Sequence, residues 1–210
     1  MSKKKLSLIV NIVLLVLELI GFAYVATENG ISSLRYYTQD SNIVVIIAAV
    51  LYIIYYFKSE KEGKEELPYF VGLIKYIASC VVTVTFIVVL TVLAPSRASE
   101  GRDAVIHVIV GGSNLYHHVL CPILCVISNI FIDEKITISL KENLLATIPT
   151  FLYGTITLIL NIAKVMYGPY IFLHVYEQSV LMSVFWFMAI VGGGFLIAFL
   201  FGILINKHIK

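Results

Sequence analysis

This chain has little charge. Only 13% of its residues are Asp, Glu, Lys or Arg, while 60% are hydrophobic. A soluble globular chain carries roughly 25% charged residues, so the chain lacks the polar surface that a water-exposed domain of this size needs. Three cysteines, Cys80, Cys121 and Cys125, are too few and too deep in apolar sequence to form a disulfide framework, and they make no CxxC pair. They read as small buried apolar side chains. The net charge of +2 argues against nucleic acid as a partner. No GxSxG, P-loop or dinucleotide-binding fingerprint is present, which removes those classes only. No HExxH or HxxxH spacing occurs. His117, His118, His174 and Cys121 offer zinc-ligand types, but adjacent histidines on one helix diverge, so no metal and no cofactor is expected. No inverted repeat, low-complexity tract or soluble domain interrupts the chain.

What the chain does have is six long apolar runs, at about 6–26, 36–57, 68–94, 104–131, 144–163 and 180–206. A spanning helix needs about 20 mostly apolar residues. Backbone that faces lipid must satisfy its own polar groups, so helices are the default. The runs lack the strict alternation of an outer-membrane barrel. The expected fold is therefore an all-α integral membrane protein, a single six-span bundle over residues 1–210. The first run follows Lys3, Lys4 and Lys5 as a signal peptide would. It is too long for a typical apolar signal core and no small-residue cleavage site follows, so it reads as a retained span. With the N-terminus inside, ten basic residues (Lys3, Lys4, Lys5, Lys58, Lys61, Lys64, Lys135, Lys141, Lys207 and Lys210) fall on the cytoplasmic side, against four (Arg35, Arg97, Arg102 and Lys164) outside. That bias puts both termini in the cytoplasm.

Polar residues inside such runs need a reason. The second run opens Tyr36-Tyr37-Thr38-Gln39-Asp40-Ser41-Asn42. The tyrosines suit a membrane interface, and Asp40 or Ser41 suits a helix cap. Capping accounts for one polar residue of five. On a helix, Thr38 and Asn42 share a face. The fourth run holds Gly111-Gly112-Ser113-Asn114-Leu115-Tyr116-His117-His118, with Pro122 beyond. Ionisable residues within a membrane mark function by default, although two histidines also serve as hydrogen-bonding links between helices. Asn114 and Cys121 share the His117 face. If the helix begins near Gly111, His117 is about 9 Å deep at 1.5 Å per residue; a start at residue 104 makes it about 20 Å. The shallower placement lets Thr38 and His117 meet. Glu18 lies mid-span at a similar depth and is a candidate partner for the imidazole. Lys75 is near a span end and is expected to snorkel to the surface along its own stem. The tract Tyr167 to His174 is placed to cap the opening above such a site. Gly192-Gly193-Gly194 permits close packing or a bend in the last span.

Tyr36-Tyr37-Thr38, a His five residues before Pro122, and the Tyr167 to Leu173 tract occur in that order. In this the chain resembles the androgen-induced and androgen-dependent membrane hydrolases and their bacterial six-span relatives. The resemblance covers most of the chain through short motifs. It implies a multi-pass protein of the bacterial plasma membrane that hydrolyses lipid esters, such as a fatty-acyl ester of a hydroxy fatty acid. It implies Thr38 as nucleophile and His117 as base. The spacing from His117 to Val119-Leu120 is one residue shorter than in the family, which leaves His118 as the alternative counterpart. The polar Gln39-Asp40-Ser41-Asn42 stretch resembles the bacterial branch. A threonine hydroxyl needs a neighbouring base to attack an ester, and the developing oxyanion needs aimed donors. Asn42, Asn114 and Tyr116 are the candidates, with His118 and Glu18 in support. The substrate partner is a membrane lipid; the oligomeric state is left open. The competing reading is a small-solute or proton-coupled transporter whose path uses Asn11, Glu18, His107, His117 and His118.

Overall fold

A computed structural model describes residues 2–28, 30–64 and 66–208. Among them there is no strand, and six helices are long and apolar enough to cross a membrane: Lys3–Glu28, Tyr37–Glu62, Tyr69–Ser96, Leu115–Ile132, Leu140–Ile162 and Val180–Lys207. The chain is thus an all-α, multi-pass membrane bundle. An even number of crossings brings the start of the first span and the end of the sixth to one end of the bundle. Thr38 lies at the other end.

The distribution of side chains is inverted relative to a soluble protein. Large aliphatics such as Ile12, Val16 and Leu19 of the first span are exposed, whereas Ser7, Asn11 and Glu18 of the same helix are buried. Lipid is as apolar as leucine, so spans associate through close packing and polar contacts rather than by hiding hydrophobic surface. The centre is accordingly built from small residues, with Ala48, Ala49, Ala78, Ser79, Cys121 and Ala198 all nearly or fully enclosed. The most extensive helix pairings join the second span to the third, the fifth to the sixth and the first to the second.

Local chemistry sets the ends. Gly63 closes the second span in the left-handed conformation, at φ 66°. Ser139 and Glu142 form a reciprocal capping box at the start of the fifth span. The Ser179 hydroxyl accepts from the Met182 N–H to start the sixth.

Several expectations need correction. The fourth apolar run, read as one helix over 104–131, is two. A short helix, Arg102–Val110, breaks at Gly111-Gly112, and the crossing helix begins at Leu115. Gly112 has φ 52°, and a Cβ there would also collide with the Glu28 carboxylate. Lys75 does not snorkel. It is enclosed, pairs with Asp133 at 2.5 Å and donates to Asn11 Oδ1 at 2.7 Å. Ser7 and Ser128 also bond Asp133, and the Tyr52 ring lies 4.8 Å from the ammonium. Satisfied in place, the charge has no reason to reach for the surface. Of Gly192-Gly193-Gly194 in the last span, only Gly194 is packed, against Val84 and Thr150; Gly192 and Gly193 meet nothing.

Candidate active site

The second span begins at Tyr37, with Tyr36 as its N-terminal boundary residue. Neither Asp40 nor Ser41 caps it. Both sit inside the helix, where the Ser41 hydroxyl contacts the Thr38 carbonyl at 2.9 Å and the Thr85 hydroxyl at 2.9 Å. Tyr37 is no interface anchor either: it is buried and its hydroxyl meets that of Thr150 at 2.7 Å. These contacts fix the first turn of the helix and leave the Thr38 side chain facing the fourth span.

There the helix is unusual. Leu115–Leu120 is a π-helical turn, which takes an extra residue per turn and is common at functional sites. It brings both adjacent histidines indoors, each toward a different partner. His118 Nε2 lies 3.4 Å from Thr38 Oγ1. His117 instead points to the first span, with Nε2 3.5 Å from Glu18 Oε2. The expected Thr38–His117 pairing is therefore replaced by Thr38–His118. The cause is steric and local. Gly21 of the first span leaves a gap that a Cβ would fill, and the His117 ring occupies it beside Phe22.

His118 is oriented by its second nitrogen. Nδ1 is 2.7 Å from the Val108 carbonyl oxygen. A carbonyl only accepts, so in the neutral ring Nδ1 carries the proton and Nε2 offers its lone pair to the Thr38 hydroxyl. Val108 belongs to the short Arg102–Val110 helix, so the break at Gly111-Gly112 is what folds that carbonyl back over the imidazole.

Asn42 lies beneath the pair and is fully enclosed. Its Nδ2 donates to the Thr38 carbonyl at 2.7 Å and to the His117 carbonyl at 3.3 Å. It ties the two helices together at the point where their side chains meet, a clamp rather than the free donor expected of it. Asn114 donates to the His107 carbonyl at 3.0 Å, and Tyr116 stacks on Tyr24. Tyr116 is thus turned away from Thr38. Sequence reasoning singled out the Tyr167 to His174 tract but not the residue in it that matters. Tyr170 is buried, and its hydroxyl accepts from the Thr38 N–H at 3.3 Å. That contact does not use the phenolic O–H, which lies close to Thr38. His174 stays outside with Tyr167 and Glu177. Among the described residues, no three His, Cys, Asp or Glu side chains converge as metal ligands would.

Two cavities meet at Thr38. One is polar, about 400 Å³, and is lined by Glu28, Gln39, Arg97, His107, Asn114 and His118 among others. The second is an apolar crevice between the second, third, fifth and sixth spans, walled by Val88, Leu158, Phe172, Trp186, Phe187 and Ile190. It is narrow, with about 50 Å³ free. Thr38, Leu93 and Tyr170 belong to both walls. A hydroxyl, an imidazole lone pair and a phenolic proton thus lie where a wet space adjoins a greasy one. Comparison of the chain with protein-family models, with curated proteins and with solved structures returns no match to any of them.

Proposed function

We propose that this protein is an intramembrane hydrolase of lipid esters, with Thr38 as nucleophile and His118 as general base. The observation that carries the reading is the Thr38–His118–Val108 carbonyl array on the wall between the two cavities. The Thr38 oxygen attacks the ester carbonyl carbon while its proton passes to His118 Nε2. The tetrahedral intermediate collapses, the bond to the alcohol oxygen breaks, and His118 returns the proton to that oxygen. Water then attacks the acyl-threonine by the same route and releases the acid. The imidazole works from a fixed tautomer, so no ring flip precedes proton transfer. A 3.4 Å separation is long for a hydrogen bond, as such contacts often are before substrate binds. The Tyr170 hydroxyl is placed to donate to the developing oxyanion. The family resemblance supports the same chemistry. The distribution of basic residues supports a cytoplasmic position for both termini, and the bacterial branch of the family a place in the plasma membrane.

The test is labelling of the purified protein by a hydroxyl-reactive fluorophosphonate lipid. Thr38→Ala is expected to abolish labelling and His118→Ala to slow it by about 10²–10⁴-fold, the usual worth of a general base. His117→Ala is expected to have a much smaller effect. A folded Thr38→Ala protein that labels at the wild-type rate refutes the mechanism.

A second reading is favoured by one observation. Glu18 and His117 are buried in contact, with the Cys121 thiol as a weak further neighbour of the carboxyl group. Such a pair suits a transporter moving a small solute or protons. Proteoliposome flux lost in Glu18→Gln, with no dependence on Thr38, is the result that supports it over the hydrolase.

A further inference from the structure

The two spaces that adjoin Thr38 differ so much in chemistry that they sort the two halves of an ester. From this, and resting on the hydrolase reading above, we infer that the substrate is a single-chain acyl ester of a small, uncharged polyhydroxy alcohol, such as a glycerol or a sugar.

The acyl half is assigned by exclusion. The crevice walls are largely aromatic and aliphatic from Val88 to Ile190, and the hydroxyls it does not share with the other space are already engaged: Tyr37 with Thr150, Thr85 with Ser41, Tyr153 with the Arg35 carbonyl and Ser183 with the Ser179 carbonyl. Apart from Thr38 and Tyr170, which it shares with the other space, its walls offer mostly apolar surface, and it is too narrow for more than one chain. The opposite space has the reverse character. Gln39, Ser33, Ser96, Ser113, Asn114 and His107 line it. The Gln39 side chain is buried there with Oε1 lacking any partner among the described residues. An enclosed amide oxygen without a donor is costly, and an alcohol O–H supplies one. At about 400 Å³ the chamber holds on the order of a dozen waters, enough for a glycerol or one sugar ring with some water left over. A second alkyl chain placed there strips water from these groups and returns nothing.

Charge narrows the choice further. Among the described residues, Arg97 and Glu28 are the chamber's only Lys, Arg, Asp or Glu side chains. They are opposite in sign, and Arg97 already holds Glu100 at 2.7 Å. The chamber has no net positive charge to recruit a phosphate or carboxylate, which separates a neutral polyol from an anionic headgroup. Attack by Thr38 leaves the acyl group on Oγ1 along the crevice. The alcohol oxygen takes the proton from His118, which faces the chamber, so the leaving group departs on the wet side.

The experiment compares three esters of one medium-length fatty acid, using the full chain in detergent: its monoacylglycerol, its ester with glycerol phosphate and its ester with a hydroxy fatty acid. Thr38→Ala serves as blank and Thr38→Ser as a control that keeps the hydroxyl. The expected result is Thr38-dependent hydrolysis in which kcat/KM for the monoacylglycerol exceeds both others by at least about tenfold. Gln39→Leu and Asn114→Leu, checked for folding by thermal melting, are expected to shrink that ratio. If the hydroxy-fatty-acid or the glycerol-phosphate ester is cleaved as fast or faster in a Thr38-dependent manner, the polyol assignment is overturned while the hydrolase reading stands. If no ester is cleaved, or Thr38→Ala cleaves like the wild type, both fall together.

Discussion

Adjacent side chains can have unrelated jobs. His117 and His118 differ by one position, yet one faces a carboxylate on the first span and the other a hydroxyl on the second. Replacing Gly21 with Ala puts a methyl group on the His117 ring, and overpacking of this kind costs about 1–3 kcal/mol. The expected outcome is a lowered melting temperature with Thr38 reactivity largely kept, because His118 is held from the other side. Loss of reactivity equal to that of His118→Ala would mean that the two rings act together. Lys75 gives a second residue-scale prediction. Removing only the ammonium, as in Lys75→Met, leaves Asp133 charged and enclosed, and breaking a buried pair in this way costs about 3–5 kcal/mol. The double change Lys75→Met with Asp133→Leu is expected to recover most of that loss in a thermal melt. That Thr38 and its neighbours needed a reason was legible in the sequence, because a polar stretch at the start of a greasy run demands an explanation. The choice of histidine was not, because it depends on a π-helical turn and on a gap at Gly21, and neither leaves a periodic signal.

Elements were legible where composition alone decides them. Spans one, two, three, five and six lie within a few residues of their apolar runs, apart from a longer second helix that ends at Glu62. The fourth run misled because Ala104 to Val110 is as apolar as a spanning segment, although it folds back as a separate helix. The warning was Gly111-Gly112, since only glycine takes a positive φ at little cost. Gly112→Ala is expected to destabilise the protein by about 1–2 kcal/mol from the left-handed backbone alone, with more from the Glu28 collision. Because the break carries the Val108 carbonyl to His118, the variant should also lose labelling rate beyond what its melting temperature explains. A variant that is destabilised but reacts normally would show that Val108 does not orient the imidazole.

At the scale of the whole molecule the two ends are chemically distinct. The Thr38 end has the paired cavities. The opposite end has a cavity of about 480 Å³ lined by Tyr52, Lys75, Asn129, Asp133 and Lys135. Burial pushes the Lys135 ammonium down to about 8, while its Nζ donates to the Asn129 carbonyl at 2.6 Å. A lysine whose value is lower in the folded chain than in the unfolded one binds fewer protons when folded. Its cost to stability is therefore present in full below about pH 8, and it fades as pH rises toward the free-lysine value of about 10.4. Melting temperature should climb between pH 8 and 10, and Lys135→Met should flatten that climb and raise the melting temperature at pH 7. The apolar runs announced six crossings, but the network of Lys75, Asp133, Ser7 and Asn11 at this end joins residues far apart in the chain, and nothing in a single sequence pairs them.

The first span carries a consequence for how the molecule is made. Ser7, Asn11 and Glu18 share its inward face, and their partners, Asp133, Lys75 and His117, belong to segments synthesised 64 to 126 residues later. During translation this helix enters the bilayer with an amide oxygen, a hydroxyl proton and a carboxyl group unanswered, and only arrival of the third and fourth helices completes it. The chain must hold its leading segment beside the insertion machinery until then, so truncation after the second helix should yield a product that is poorly retained in the membrane.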